Sequence, residues 1–275
     1  MKALNARNPR LRSQAAAMQG FRSRRAWLSA LAAGAGSLAL SGCDRLVQSP
    51  GVAEVIDSAE KLTMGSQRLL LDRQPLAREY GERDLSPVFR ANGSTMPDSE
   101  EYAAMLQNRF ADYALKVDGL VQHPQSLSLA QLKAMDARTQ ITRHDCVEGW
   151  SAIGKWQGVP LSRILDLAGL QPGARYVIFH CADDLEKTLD GSGRYYESID
   201  LLDAYHPQTI LAYGMNGEDL PVDHGAPLRL RVERQLGYKH AKYVMRIEVA
   251  NAYAQIAGGQ GGFWEDRGYE WYAGI

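Results

Sequence analysis

The residues around Cys146 combine several groups that could do chemistry. The stretch HDCVEGW, residues 144–150, places this thiol beside a histidine, two acids and a tryptophan. A thiolate can act as a nucleophile, as a metal ligand or as half of a disulfide. His144 and Cys146 lie two residues apart and share one face of a strand, whereas the intervening acid points to the other face.

All three roles stay open on residue type alone. A disulfide to Cys181 is the ordinary expectation in an oxidising compartment. A zinc site built from His144, Cys146, His180 and Cys181 has spacings that structural zinc sites rarely use. A single thiolate among Arg and His residues suits a softer or higher-valent metal that brings other ligands with it.

A second group of candidate residues lies in the stretch 229–246, which holds six Lys or Arg against one acid, Glu233. A bound phosphate would explain this local positive charge, because Gly237 lets backbone amides approach a ligand. The alternative is a solvated basic face of a strand pair. The candidates for phosphate contact are Lys239, His240 and Lys242, and the turn DHGAPLRL just before them adds His224 and Arg229.

Strands and short helices must position these residues. Alternating or apolar runs predict strands over residues 113–121, 140–147, 175–181, 209–221, 227–232 and 243–250. Helical spacing predicts helices over residues 128–136, 160–170 and 199–205, the first behind a Ser cap. This mixture is typical of an α+β fold. Cys146 and Cys181 are both expected at strand ends.

The first 42 residues have the layout of an export signal. They carry seven Lys or Arg and no acid, before an apolar run from Ala26 to Leu40. This run is shorter than the ~20 residues of a membrane-spanning helix. SRRAWL at 23–28 resembles a twin-arginine signature, which serves proteins folded before export, and LSGC at 40–43 resembles a lipobox. We therefore expect a lipid anchor on Cys43 and a location on the periplasmic side of the bacterial membrane.

The rest of the chain divides into an expected tether, residues 43–84 with one short helix, and a domain, residues 85–275. Loss of residues 1–42 changes the formal charge from −1 to −8. An acidic surface argues against nucleic acid as a partner, because such binding depends on phosphate neutralisation. No CxxCH motif is present in the sequence, so a covalently attached haem of the usual type is not expected.

Three motifs, in order, resemble the molybdopterin-binding domain of the sulfite oxidase family. They are RHDCVEGWSAIGKWQGVPLSRIL, YGMNGEDLPVDHGAPLRL and LGYKHAK. The resemblance runs from about Leu85 to the C-terminus and is greatest to the branch of small exported bacterial enzymes that includes periplasmic protein-methionine-sulfoxide reductases. It implies an α+β fold with mixed sheets and short helices, and a molybdenum ion held with one pyranopterin dithiolene.

The same resemblance assigns roles to individual residues. Cys146 is expected to ligate molybdenum through its thiolate, with Arg143 near the metal. Tyr195 is expected in the substrate pocket, and Tyr196 is the rival assignment. The expected cofactor contacts are Asn92, Cys181, His224, Arg229, His240, the Ala241 amide and Lys242, of which the last three surround the pterin phosphate. Lys239 is an expected cofactor contact on the charge of its stretch alone.

The resemblance also implies oxygen-atom transfer. We expect reduction of a sulfoxide-like substrate, small or protein-bound, with electrons from a membrane haem protein or cytochrome. The alternatives are a sulfite dehydrogenase that passes electrons to a cytochrome and a non-catalytic lipid-anchored binding module. The sequence RANG at 90–93 departs from the Arg-Asn-His of sulfite-oxidising members. No immunoglobulin-like dimerisation domain follows Ala250, so we expect a monomer whose tail aromatics serve packing.

Overall fold

The structure, a computed structural model, describes residues 50–70, 75–189, 191 and 193–275. The chain divides into two compact units, one ending at Leu62 and the other running from Thr63 to Ile275. Apart from residues 50–62, the findings below concern the second unit. No helix in the described ranges is both long and apolar enough to cross a bilayer. The predicted signal, residues 1–42, and the predicted anchor Cys43 lie outside the described residues.

Helices and strands alternate along the described residues, and the first helix begins in the first unit. The helices in the described ranges are α1 (Pro50–Leu70), α2 (Glu100–Gln107), α3 (Leu129–Ala134), α4 (Leu161–Ala168) and α5 (Leu201–Ala204). The strands there are β1 (Ala114–Gly119), β2 (Gln125–Ser128), β3 (Arg138–Asp145), β4 (Ser151–Pro160), β5 (Tyr176–Asp184), β6 (Arg194–Asp200), β7 (Ile210–Met215), β8 (Glu218–Asp219), β9 (Arg229–Arg231) and β10 (Val244–Ala250).

The strands form two mixed sheets. One has the order β2-β1-β10-β5-β6, in which β1 and β10 run parallel with Val117 opposite Ile247. The other has the order β3-β4-β7-β8, with β9 paired to β7. The main core contains inward side chains of the first sheet, such as Phe179 and Ile247, and the apolar face of α4. The predicted α+β class is confirmed.

The predicted helices and strands are found with shifted ends. Ser128 caps α3 in a capping box with Gln131, as its position predicts. Cys146 directly follows β3, but the expectation for Cys181 is wrong: it lies inside β5, which continues to Asp184. The sequence analysis also missed β4, because Gly154 and Gly158 interrupt its strand pattern.

The segment expected to be a tether is more ordered than predicted. Helix α1 spans 21 residues, where one short helix was expected. Residues 75–84 pair with the domain: Glu79 forms a β-bridge with Thr142, and the Tyr80 amide donates to the Ile141 carbonyl at 2.9 Å. The folded unit therefore begins before Leu85.

The C-terminal tail, residues 251–275, folds back over the sheets by using its glycines and acids. Both carboxylate oxygens of Asp266 accept backbone amides, from Gly258 and Gln260, each at 2.9 Å. A Cβ on Gly262 would lie 2.0 Å from a carboxylate oxygen of Glu265, so any side chain there would displace that carboxylate. The tail is therefore an ordered part of the fold.

Candidate active site

A cleft of about 140 Å³ opens where the turn after β3, the end of β5 and the C-terminal tail meet. Its lining joins distant parts of the sequence and combines a thiol, two carboxyls, a lysine, a histidine and several aromatics. The lining residues are Asn92, Gly93, Ser94, Cys146, Val147, Glu148, Asp183, Leu185, Tyr195, Gly237, Tyr238, His240, Lys242, Trp264 and Tyr269.

Cys146 lies at the start of a tight turn. Its amide donates to the Trp150 carbonyl at 2.9 Å, and its carbonyl accepts from the Gly149 amide at 3.0 Å. The thiol is free and only 8% exposed. Burial raises the pKa of the Cys146 thiol, so the thiolate needs a partner of positive charge, such as a metal ion. Cys181 is also free, so the disulfide alternative is not formed.

Asp183 is a buried carboxyl in the cleft that the sequence analysis missed. One oxygen accepts from the Ser94 hydroxyl at 2.6 Å, whereas the other is buried without a hydrogen-bond partner. Burial raises the pKa of Asp183, and the Ser94 hydrogen bond offsets part of this shift. An available signal was its position two residues after Cys181, on the same face of a strand.

His240 lines the cleft as a neutral imidazole. Its Nε2 donates to the Gln235 carbonyl at 3.0 Å, which leaves Nδ1 as an acceptor, buried and without a partner. His144 packs edge-on against it, with ring centroids 5.1 Å apart. Burial lowers the pKa of both rings well below the usual value, and Arg231 lowers it further.

Lys242 lines the cleft with its ammonium held by backbone. It donates to the carbonyls of Asn92 at 2.6 Å and Asp223 at 3.0 Å, and also to that of Ser94. Burial, together with the nearby Arg229 charge, lowers the pKa of Lys242 to about 8. The resemblance placed this lysine at a phosphate, and its charge, unpaired with any carboxylate among the described ion pairs, suits that role.

Most of the basic stretch 229–246 has internal partners instead. Arg231 forms a bidentate pair with Glu233 at 2.8 and 2.6 Å, and Arg246 pairs with Asp118. The prediction for Lys239 is not supported, because its ammonium is fully buried between Glu197 and Glu265 and is not part of the cleft lining.

Five other predicted residues do not line the cleft. Arg143 turns outward to Asp145, with an N–O distance of 2.9 Å and a side chain 54% exposed. Arg229 is buried against Trp156 and donates to the carbonyl of His224 at 3.0 Å, so it supports the backbone there. Three residues are buried and are not part of the cleft lining: His224, Cys181 and Ala241, whose amide donates to the Lys239 carbonyl.

Tyr195 is the tyrosine that reaches the cleft, as predicted, whereas Tyr196 points to Asp266. Its hydroxyl donates to the Tyr238 carbonyl, and its ring stacks on Phe263 at 5.7 Å. Burial raises the pKa of Tyr195 well above the usual value. The phenol therefore stays protonated and can accept one further hydrogen bond.

Aromatic residues of the tail also line the cleft, where the sequence analysis expected only packing. Trp264 and Tyr269 stack with ring centroids 5.3 Å apart, and Tyr238 meets Tyr269 edge-on at 5.2 Å. Sequence spacing held no signal for this contact, since it depends on the tail folding back.

Comparison with known proteins places the chain in a family. The oxidoreductase molybdopterin binding domain model matches residues 102–256, more than half of the chain. A putative protein-methionine-sulfoxide reductase subunit YedZ1 of Azospira oryzae is 37% identical over 251 residues, which cover 91% of this chain and 87% of that protein. This chain belongs to the molybdopterin-binding oxidoreductase family. The expected resemblance is confirmed.

Further relatives match a smaller part. The protein-methionine-sulfoxide reductase catalytic subunit MsrP of Xanthomonas campestris is 34% identical over 175 residues, 62% of this chain and 54% of that protein. This chain thus spans about half the length of that relative. The sulfane dehydrogenase SoxCD of Paracoccus pantotrophus matches in structure with a TM-score of 0.46 and 24% identity, over 51% of this chain and 39% of that one.

The cleft residues of this family member fit a molybdopterin. The Cys146 thiol faces the cleft and can hold the metal. Asp183 and His240 each keep a buried, unpartnered acceptor that suits the polar edge of a pterin. Lys242 supplies the positive charge that a phosphate needs. No cluster of three or more His, Cys, Asp or Glu side chains among the described residues could hold a metal alone, which disfavours the zinc alternative.

Proposed function

We propose that this chain is an exported molybdenum–molybdopterin oxidoreductase that reduces sulfoxides to thioethers. The observation that carries the substrate class is the charge of the cleft lining. Two carboxyls, Glu148 and Asp183, face the cleft, while no arginine does among the described lining residues. Anionic sulfite is bound best by guanidinium groups, whereas a neutral sulfoxide needs none.

The names of similar proteins support the same substrate class. Both the Azospira oryzae and the Xanthomonas campestris relatives carry names of protein-methionine-sulfoxide reductases. The outward turn of Arg143 toward Asp145 removes the one arginine that the resemblance placed near the metal. Sulfite oxidation is therefore the less favoured of the two enzyme activities.

Reduction breaks the sulfur–oxygen bond, consumes two protons and two electrons, and releases a thioether and water. The molybdenum–molybdopterin group, when bound, supplies the oxygen-atom acceptor and the two-electron change. Cys146 would hold the metal. Tyr195 lines the cleft with its ring and is not a proton donor to substrate, because its only hydroxyl proton is donated to the Tyr238 carbonyl. Glu148 is exposed at the cleft, where it can carry protons in from solvent.

Location and partners extend this proposal. The twin-arginine and lipobox motifs support export with a bound cofactor and a lipid anchor at Cys43. A membrane haem protein would then supply electrons to a monomeric catalytic chain. The substrate would be a small or protein-bound methionine sulfoxide.

The test compares the two reactions on one preparation of holoenzyme. Methionine sulfoxide reduction is measured with a reduced dye, and sulfite oxidation with an oxidised one, each per molybdenum. We expect kcat/KM for the sulfoxide to exceed that for sulfite by about 100-fold. A preference for sulfite would reverse the assignment, and a molybdenum-free protein inactive in both reactions would support the binding module.

A further inference from the structure

We infer that the C-terminal tail forms the substrate-selecting wall of the cleft. Trp264 and Tyr269 contact the hydrocarbon side of a sulfoxide substrate, and Lys239 is the positioning residue that holds this wall in place. The inference rests on the proposed function and names the residues that determine its specificity.

The wall stands at the open side of the cleft. Tyr269 is 40% exposed and Trp264 is half-buried, whereas Asp183 and His240 are almost fully buried at the inner side. All four line the same cleft. The stacked pair therefore meets a substrate that enters from solvent, and the inner groups remain for the cofactor.

The chemistry of the wall matches a thioether or sulfoxide with alkyl groups. Aromatic rings offer apolar area with little conformational entropy to lose, and they attract polarisable sulfur. Val147 and Leu185 add apolar surface to the same lining. A sulfite ion has no hydrocarbon part and gains nothing from such a wall.

A buried ion cluster fixes the wall. The Lys239 ammonium donates to carboxylates of Glu197, on β6, and of Glu265, next to Trp264. All three side chains are buried, to 1% exposure or less. Burial lowers the pKa of Lys239, but the two acids raise it more, so the ammonium stays charged and joins the tail to the sheet. Burial, together with Glu265, raises the pKa of Glu197 well above its usual value.

The wall residues of the tail follow the segment that the family model matches. The family model ends at residue 256, whereas Trp264, Glu265 and Tyr269 follow it. Cofactor binding is the property common to such domains. Trp264 and Tyr269 therefore lie outside the segment to which cofactor binding is assigned, while they line the same cleft.

Trp264→Leu tests the wall by binding and by turnover. Binding of methionine sulfoxide to oxidised holoenzyme is measured by calorimetry without reductant, so that no turnover occurs. We expect Kd and KM to rise about tenfold, with kcat changed less than about twofold, because the lost contact is apolar and remote from bond breaking. Molybdenum and pterin content should stay at the wild-type level.

The matched control is Tyr272→Leu. This tail aromatic stacks under Arg68 rather than in the cleft, so Kd and KM should not change. Unchanged Kd in Trp264→Leu, with the wild type binding and reducing the sulfoxide, would overturn the inference alone. Failure of the wild type to bind or reduce any sulfoxide would instead overturn the proposed function.

Lys239→Met tests the positioning role. If Lys239 acts through the wall, KM rises as in Trp264→Leu, and the double variant is no worse than either single one, since both remove the same contact. Equal losses in kcat and pterin content, with KM unchanged, would show a purely structural role. Glu265→Gln keeps a polar partner for Lys239 and gives a second variant should Lys239→Met fail to fold.

Discussion

Three residues, His144, His240 and Asp183, each keep a buried polar atom that has no hydrogen-bond partner among the described residues. Unpaired buried groups cost free energy, so proteins retain them where a ligand completes the hydrogen bonding. Burial is the largest cause of the pKa shift in all three, and it favours the uncharged form. His240 and Asp183 line the cleft, so its inner side is preorganised for a polar ligand at some cost to the cofactor-free protein.

Asp183→Asn should stabilise the cofactor-free protein at neutral pH. The folded state raises the pKa of Asp183, so unfolding releases protons above the usual pKa of about 4, and the carboxylate costs stability there. Below that pH both states are protonated and the cost disappears. We expect the difference in melting temperature between variant and wild type to grow from pH 4 to pH 8. A constant difference would show that ionisation is not its cause.

Several single residues could be assigned from sequence, and others could not. Family resemblance can align the motifs that hold five residues of the cleft lining, namely Cys146, Asn92, Tyr195, His240 and Lys242. The role predicted for Lys239 is not supported, because its partners Glu197 and Glu265 lie far away along the chain and sequence alone does not reveal them. A charge run does not reveal whether each charge meets a ligand or a buried acid.

At the scale of elements, the turn after β3 and the C-terminal tail form the cleft from opposite sides. The tail depends on close backbone approach, which glycine permits. The composition of the stretch GGQGGFW is typical of a low-complexity tail. In the structure, however, Gly262 packs closely against the side chains of both Glu265 and Glu197. The packing of this tail is therefore as specific as that of a strand.

Gly262→Ala should destabilise the protein by about 1–3 kcal/mol, because its Cβ would collide with the buried ion cluster. Chemical denaturation measures the loss, and limited proteolysis should show earlier cleavage in the tail. Gly81→Ala is the control, since the nearest atom to its Cβ would be 3.4 Å away and its φ is −91°. Equal stability of the two variants would contradict the account of the tail.

Elements with a clear hydrophobic period were predicted from the sequence, whereas elements that depend on tertiary contacts were not. Helices α3 and α4 and strands β1, β5 and β10 follow their apolar patterns. Strand β4 was missed because Gly158 marks a bulge, where a Cβ would lie 2.2 Å from the Leu211 carbonyl oxygen. Only the neighbouring strand explains that glycine.

At the scale of the whole molecule, the proposed twin-arginine export would carry the domain across the membrane after it has folded around its cofactor. The basic first 42 residues and the acidic remainder, with formal charge −8, are consistent with two segments of different purpose. The proposed lipid on Cys43 would keep the domain near a membrane electron donor.

Replacement of Arg24 and Arg25 by Lys should leave the molybdenum-loaded protein in the cytoplasm. The twin-arginine route requires both guanidinium groups in the proposed signal, and lysine keeps only the charge. Cell fractionation with molybdenum analysis measures the effect. Cys43→Ala is the companion variant, and it should be exported but released from the membrane. Normal membrane attachment of a variant would contradict the motif which that variant removes.

The most direct test of the central claim is the molybdenum and pterin content of the purified chain. We expect about one molybdenum and one pterin per wild-type chain. Cys146→Ser should lose molybdenum but still fold. Cys181→Ala should keep the wild-type molybdenum content, because its side chain lies outside the cleft. Wild-type protein without molybdenum, or Cys146→Ser protein with its full content and activity, would contradict the assignment of Cys146 as the metal ligand of a molybdenum oxidoreductase.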